Sequence, residues 1–186
     1  ILNTHHHFDH TGGNLDLQKK YNAKIIGYKK DEKRIPGINI KLSDNENFKF
    51  GSLDFKIFFI PGHTSGHICF YAKKEKVIFT GDTLFSLGCG RVFEGTHLEM
   101  LNSLNLIKKL PIDTQIYCGH EYTQKNLDFC IKYEINNNRL KEKRKWVISK
   151  LSKKEPTIPV TIGEELNTNI FLRCNVPAVK KSLSME

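Results

Sequence analysis

The six residues His5-His6-His7-Phe8-Asp9-His10 constrain this chain more than any other stretch. In an extended backbone, side chains at i, i+2 and i+4 point to the same side. His5, His7 and Asp9 are therefore expected to converge, and His10 needs only a turn to join them. Gly12-Gly13 supplies flexible backbone nearby. Imidazole and carboxylate suit Zn²⁺, Fe²⁺ or Mn²⁺. A lone His-x-His is a weak signal, but three further segments carry metal-suited groups: Gly62-His63-Thr64, Gly81-Asp82-Thr83 and Gly119-His120. Each follows an apolar, strand-like run, and loops at strand ends are where sites are commonly built. One four-coordinate ion could not use His5, His7, Asp9, His10, His63, Asp82 and His120 together. Two ions could, with one carboxylate bridging them; such ions lie about 3.5–4 Å apart and can hold a hydroxide between them.

The patterning around these loops is mixed. Asn14 is expected to cap a helix through Tyr21, and 23–27 to form a strand. The charged segment 29–41, with Pro36-Gly37, reads as a loop. Residues 48–50 and 53–60 predict a hairpin turning at Gly51-Ser52, and 67–72 with 77–80 predict another. Over 97–110, Met100, Leu101, Leu104 and Ile107 fall on one helical face. Residues 114–118 read as a strand. After Tyr122 the period becomes helical to 152, Pro156 and Pro159 interrupt it, and a short helix is expected at 162–168. The organisation is thus α/β (α+β): a mixed part over 1–122, then a helical part over 123–186.

At 186 residues with 39% hydrophobic and 26% charged side chains, the chain can build a packed core. No apolar run reaches the roughly 18 residues that a membrane span needs. The five cysteines are odd in number and form no Cys-x-x-Cys pair, which argues for reduced thiols and against a disulfide framework or a cysteine-rich zinc site. Cys69, inside an apolar run, reads as a small buried hydrophobe. The net charge of +9 is compatible with nucleic acid, an anionic surface or an acidic substrate. The basic residues are scattered apart from 141–145, which reads as the wet face of a helix.

Thr4-His5-His6-His7-Phe8-Asp9-His10 resembles the THxHxDH signature of the metallo-β-lactamase superfamily. Gly88-Cys89-Gly90-Arg91, Glu94-Gly95-Thr96, Tyr117-Cys118-Gly119-His120-Glu121-Tyr122 and Glu155-Pro156-Thr157-Ile158-Pro159 narrow the resemblance to glyoxalase II, the hydroxyacylglutathione hydrolases. The resemblance implies an αββα sandwich followed by a small α-helical C-terminal domain. It also implies that the strands preceding the His-rich loop, and basic contacts near the C-terminus, lie outside this chain, which reads as an internal fragment of a longer protein.

Carried over residue by residue, the resemblance gives His5, His7 and His63 to a first divalent metal and Asp9, His10 and His120 to a second. Asp82 bridges them together with a hydroxide. Zinc is the first choice, with iron or manganese as alternatives. Asp9 and Asp82 are the candidate catalytic carboxylates. The implied reaction is hydrolysis of S-(2-hydroxyacyl)glutathione thioesters such as S-D-lactoylglutathione, in methylglyoxal detoxification. Arg91 and Tyr122 match substrate contacts. Phe93 stands where human-type members of the family carry Tyr, so one hydroxyl is missing. His6 is expected to point away from the metals, His67 to order the His63 loop from behind, and His97 to start a helix. The partner is a glutathione thioester, with no nucleic acid and no membrane. A monomer is expected, cytoplasmic unless a targeting peptide precedes this segment.

Three other readings compete. An iron-dependent glutathione persulfide dioxygenase of the same superfamily would use one metal and part of the ligand set. A metal-dependent nuclease would suit the charge, but no aromatic-basic interleaving is visible. A catalytically dead binding module conflicts with the intact ligand set.

Overall fold

The computed structural model describes residues 1–184. The first half contains helices α1 (Phe8–Thr11) and α2 (Asn14–Tyr21), then strands β1 (Ile26–Tyr28), β2 (Ile40–Leu42), β3 (Asn47–Phe50), β4 (Leu53–Phe59), β5 (Ile68–Ala72) and β6 (Val77–Gly81). A small hairpin, β7 (Leu84–Phe85) and β8 (Gly88–Cys89), leads to α3 (His97–Ile107) and β9 (Gln115–Cys118). The last third holds α4 (Thr123–Tyr133), α5 (Asn138–Ser152), β10 (Val160–Thr161), α6 (Ile162–Thr168) and α7 (Pro177–Ser182).

The main sheet runs β10-β9-β6-β5-β4-β3, with β6 and β9 parallel and the other pairs antiparallel. Strand β5 shows why it lies in the middle: all five of its residues are buried. Its period of two sends Ile68, Phe70 and Ala72 to one face and Cys69 and Tyr71 to the other. The first set packs with Ile26, Tyr28 and Leu42 from β1 and β2. The second packs with Met100, Leu104 and Ile107 of α3. Each fully buried Ile or Phe contributes about 1.5–3 kcal/mol, so these two cores fix the strand register that sets the loops. A third apolar cluster, with Leu127, Leu140, Val147 and Ile170, organises the helical part.

Both predicted hairpins form, with turns at Gly51 (φ 59°) and at Lys76 (φ 54°). Helix α3 starts at His97 behind a Thr96/Glu99 capping box and ends at Ile107, three residues earlier than the pattern suggests. Four expectations need correcting. The HxHxDH stretch is not extended throughout: Phe8–Thr11 makes one helical turn, so Asp9 and His10 come from a turn and not from a strand. Asn14 does not cap α2; it is the first helical residue, and its side-chain amide donates to Asn3 Oδ1 at 2.8 Å. The first strand lies at Ile26–Tyr28, and the segment read as a loop ends in Ile40–Leu42, which pairs with it in parallel. Val160–Thr161 leaves the helical part to add an edge strand against β9. All five cysteines are free, and Cys69 is fully buried. Among the described residues, no helix is long and apolar enough to cross a membrane.

Candidate metal centre and substrate cleft

The loop after Leu2-Asn3, the turn of α1 and the loops following β4, β6 and β9 meet at one end of the main sheet. They bring together residues as far apart in sequence as His10 and His120. His7 Nδ1 lies 3.1 Å from His5 Nε2 and 3.1 Å from His63 Nε2. His10 Nε2 and His120 Nε2 are 3.3 Å apart, and Asp9 Oδ2 lies 3.1 Å from His120 Nε2. Asp82 stands between the groups: Oδ1 is 3.3 Å from His10 Nε2, and Oδ2 is 3.3 Å from His120 Nε2 and 3.6 Å from His63 Nε2. His5-His7-His63, His5-His10-Asp82 and Asp9-His10-His120 each have ligand atoms close enough to share one ion.

The donor chemistry fits cations. His63 Nδ1 donates to the Arg91 carbonyl at 2.8 Å. In the neutral ring this leaves the lone pair on Nε2, aimed at His7 and Asp82. Burial holds His5 far below the usual imidazole range, with repulsion from His67, His10, His63 and His7 added to it. Burial likewise lowers His63. Neutral imidazoles are the form that binds metal. Asp82 Oδ1 is buried without a hydrogen-bond partner. A buried carboxylate oxygen left so is costly unless a cation meets it.

Close backbone approaches keep the groups in place. Gly81 adopts φ 51°, and a Cβ there would come within 2.7 Å of His67 Cε1. A Cβ on Gly119 would strike Asp82 Oδ1 and lie 2.8 Å from His10 Cε1. His67 is fully buried, stacks on His5 at 4.7 Å, and accepts the Asp82 N–H through Nε2 at 3.1 Å. It therefore grips the Asp82 loop, where the sequence suggested the His63 loop.

His6 turns away from the metal-suited groups, as expected. It faces Asp31 and Glu94 at 3.4 Å each. These two carboxylates flank Arg34, whose Nη1 donates to Glu94 Oε1 at 2.7 Å and whose Nε donates to Asp31 Oδ1 at 3.0 Å. Partial burial pulls the Glu94 carboxyl up, but the Ser65 N–H, Arg34 and the Ser65 hydroxyl outweigh it and bring it down to about 2. This cluster ties the His-rich loop to the loops of His63 and Phe93. Sequence reading missed it, because Asp31 and Arg34 sit in a segment with no periodic signal.

A cleft of about 630 Å³ opens on the centre, lined by His7, Asp9, His63, Asp82 and His120. Arg91, Phe93 and Tyr122 line it as well. The ring of Tyr122 stacks on His120 at 5.0 Å, and Phe93 meets His63 edge-on at 5.3 Å. Lys125 and Asn126 also line the cleft and were not singled out from sequence. The signal was available: they fall three and four residues after Tyr122 at the start of a predicted helix, on the same face.

Comparison with known proteins agrees with this geometry. Residues 1–120 match the model of the metallo-beta-lactamase superfamily, and residues 121–186 match that of the hydroxyacylglutathione hydrolase C-terminus. The hydroxyacylglutathione hydrolase of Pelagibacter ubique (strain HTCC1062) is 58% identical over 173 residues, 93% of this chain and 72% of that protein. That of Maricaulis maris (strain MCS10) is 44% identical over 186 residues, 100% of this chain and 73% of its own length. Among solved structures, the BLEG-1 B3 metallo-beta-lactamase superposes with a TM-score of 0.67 at 25% identity, covering 92% of this chain and 76% of that one.

Proposed function

The chain belongs to the hydroxyacylglutathione hydrolase family of the metallo-β-lactamase superfamily, and on that premise we propose that it hydrolyses S-(2-hydroxyacyl)glutathione thioesters such as S-D-lactoylglutathione to glutathione and a hydroxy acid. The observation that carries this reading is the meeting of two ligand groups at Asp82, in a cleft also lined by Arg91 and Tyr122. In it, residues 1–122 are the catalytic part and 123–186 the helical substrate-binding part. The enzyme acts as a monomer, and its free thiols support a reducing, cytoplasmic setting.

His5, His7 and His63 are the set for one divalent cation, and Asp9, His10 and His120 the set for another, with Asp82 common to both. An imidazole-rich set suits zinc first, and iron or manganese next. When bound, two such cations supply an acidified water and a polarised thioester carbonyl.

The chain's own side chains do the rest. Asp9, 57% exposed at its side chain, accepts a hydrogen bond from the attacking water and fixes its approach. The Arg91 guanidinium can hold a glutathione carboxylate through two parallel N–H···O bonds. The Tyr122 hydroxyl reaches the peptide backbone of the same arm, and Lys125 adds a second cation for a molecule that carries two carboxylates. The departing thiolate is a fair leaving group, so no protein acid is required.

The test is thioester loss from S-D-lactoylglutathione by metal-reconstituted protein, with a chelator control and His120→Ala. Fast, chelator-sensitive turnover that collapses in the variant is expected. A folded protein holding two metals without turnover would sink the proposal. Phe93→Tyr restores the hydroxyl that Phe lacks. It is expected to lower KM about fivefold, equivalent to about 1 kcal/mol, with kcat little changed; an unchanged KM would show that the hydroxyl has no partner here. The persulfide dioxygenase alternative is not favoured, since the hydroxyacylglutathione hydrolase C-terminus model matches residues 121–186 and hydroxyacylglutathione hydrolases match 93–100% of the chain.

A further inference from the structure

The hairpin β7–β8 joins two parts of the site. Asp82 and Thr83 lead into it, and Gly90 and Arg91 lead out. Gly90 N–H donates to the Thr83 carbonyl at 3.2 Å and closes its base. The Arg91 carbonyl in turn holds His63 Nδ1. At the tip, Leu87 has φ 61° although it is not glycine, a conformation that the surrounding structure must enforce.

That enforcement comes from the helical part, on four consecutive residues. Asn126 Nδ2 donates to the Ser86 carbonyl at 2.9 Å, and Cys130 Sγ donates to the Leu87 carbonyl at 3.2 Å. Asn169 Nδ2 donates to the Gly88 carbonyl at 3.0 Å and reaches the Phe85 carbonyl at 3.4 Å. Glu165 Oε2 accepts the Leu87 N–H at 2.7 Å and an Asn169 N–H at 2.9 Å. The Leu87 side chain is fully buried in the helical core with Leu127, Leu140 and Ile170. Glu165 is 0% exposed, and its Oε1 has no hydrogen-bond partner among the described residues. A carboxylate buried this way is a poor choice for packing alone; what it provides is an acceptor at the strained turn.

We propose that Glu165, seconded by Asn169, is a positioning residue for the reaction: it holds Leu87 in the left-handed conformation and so sets the placement of Asp82 against His63 and Arg91. The helical part then supports the metal centre as well as the substrate. This inference rests on the reading of Asp82 as a metal ligand.

The test uses cobalt(II) in place of the native metal, with no substrate present. Cobalt bound per chain and the visible absorption bands are compared in wild type, Glu165→Ala and Glu165→Gln, with circular dichroism to report the fold. Glu165→Ala is expected to fold, shift the bands and weaken cobalt binding about 10–100-fold, the range typical of groups that support metal ligands. Glu165→Gln keeps an acceptor for the Leu87 N–H and is expected to retain the wild-type spectrum. Unchanged bands and affinity in a folded Glu165→Ala overturn the proposal, as does a Glu165→Gln protein as perturbed as the alanine variant. If Glu165→Ala does not fold, Asn169→Ala replaces it: shifted bands support the proposal and wild-type bands overturn it. Wild-type protein that binds no cobalt would instead count against the metal assignment, so the two failures are distinguishable.

Discussion

Asp82→Ala is expected to lower kcat for the glutathione thioester by about three orders of magnitude and to leave fewer than two metals per chain. The carboxylate faces both ligand groups, with Oδ1 toward His10 and Oδ2 toward His120 and His63. In the proposed assignment its removal takes away a charge common to the two sets and loosens both. Metal ions of this kind contribute several kcal/mol of transition-state stabilisation, and about 4 kcal/mol corresponds to roughly a thousandfold in rate. The backbone should survive, because the Asp82 N–H still donates to His67 Nε2. Steady-state kinetics and metal analysis on the same preparation check the prediction. A variant that keeps both metals and most of its turnover would show that Asp82 is not the shared ligand.

Stripping the metals is expected to lower the melting temperature by about 10–20 °C. A ligand at a hundred times its Kd stabilises the folded state by about 2.7 kcal/mol, so two sites contribute about 5 kcal/mol. For a domain of this size each kcal/mol moves the midpoint by about 2–4 °C. The ring nitrogens of His5, His7 and His63 and the buried Asp82 Oδ1 are the groups that such cations would satisfy. Melting curves with and without chelator, followed by re-addition of zinc, measure the effect. A midpoint that chelator does not move would mean that the cluster holds no metal.

Much of this was legible in the sequence, and for identifiable reasons. Strand β5 and its neighbours announce themselves because burial on both faces demands an unbroken apolar run. Helix α3 is visible through its apolar face of Met100, Leu101, Leu104 and Ile107. The ligand residues stand out because no core or surface needs so many imidazoles at strand ends. What escaped had no such signature. The parallel pair of Ile26–Tyr28 with Ile40–Leu42 is three residues long on each side, too short for a period to register. The Arg34 cluster binds through side chains from three distant loops.

The sequence by itself determined which groups are available for chemistry and which runs can pack as strands, because ligand type and alternation are local properties of the residues. Only the tertiary structure decided that Phe8–Thr11 turns helical to present Asp9 and His10, that His67 grips the Asp82 loop, that Val160–Thr161 returns to the sheet, and that Leu87 is held left-handed by Glu165. Each of these depends on hydrogen bonds or packing between residues far apart in the chain. Local propensity cannot weigh such contacts until the fold has brought their partners together.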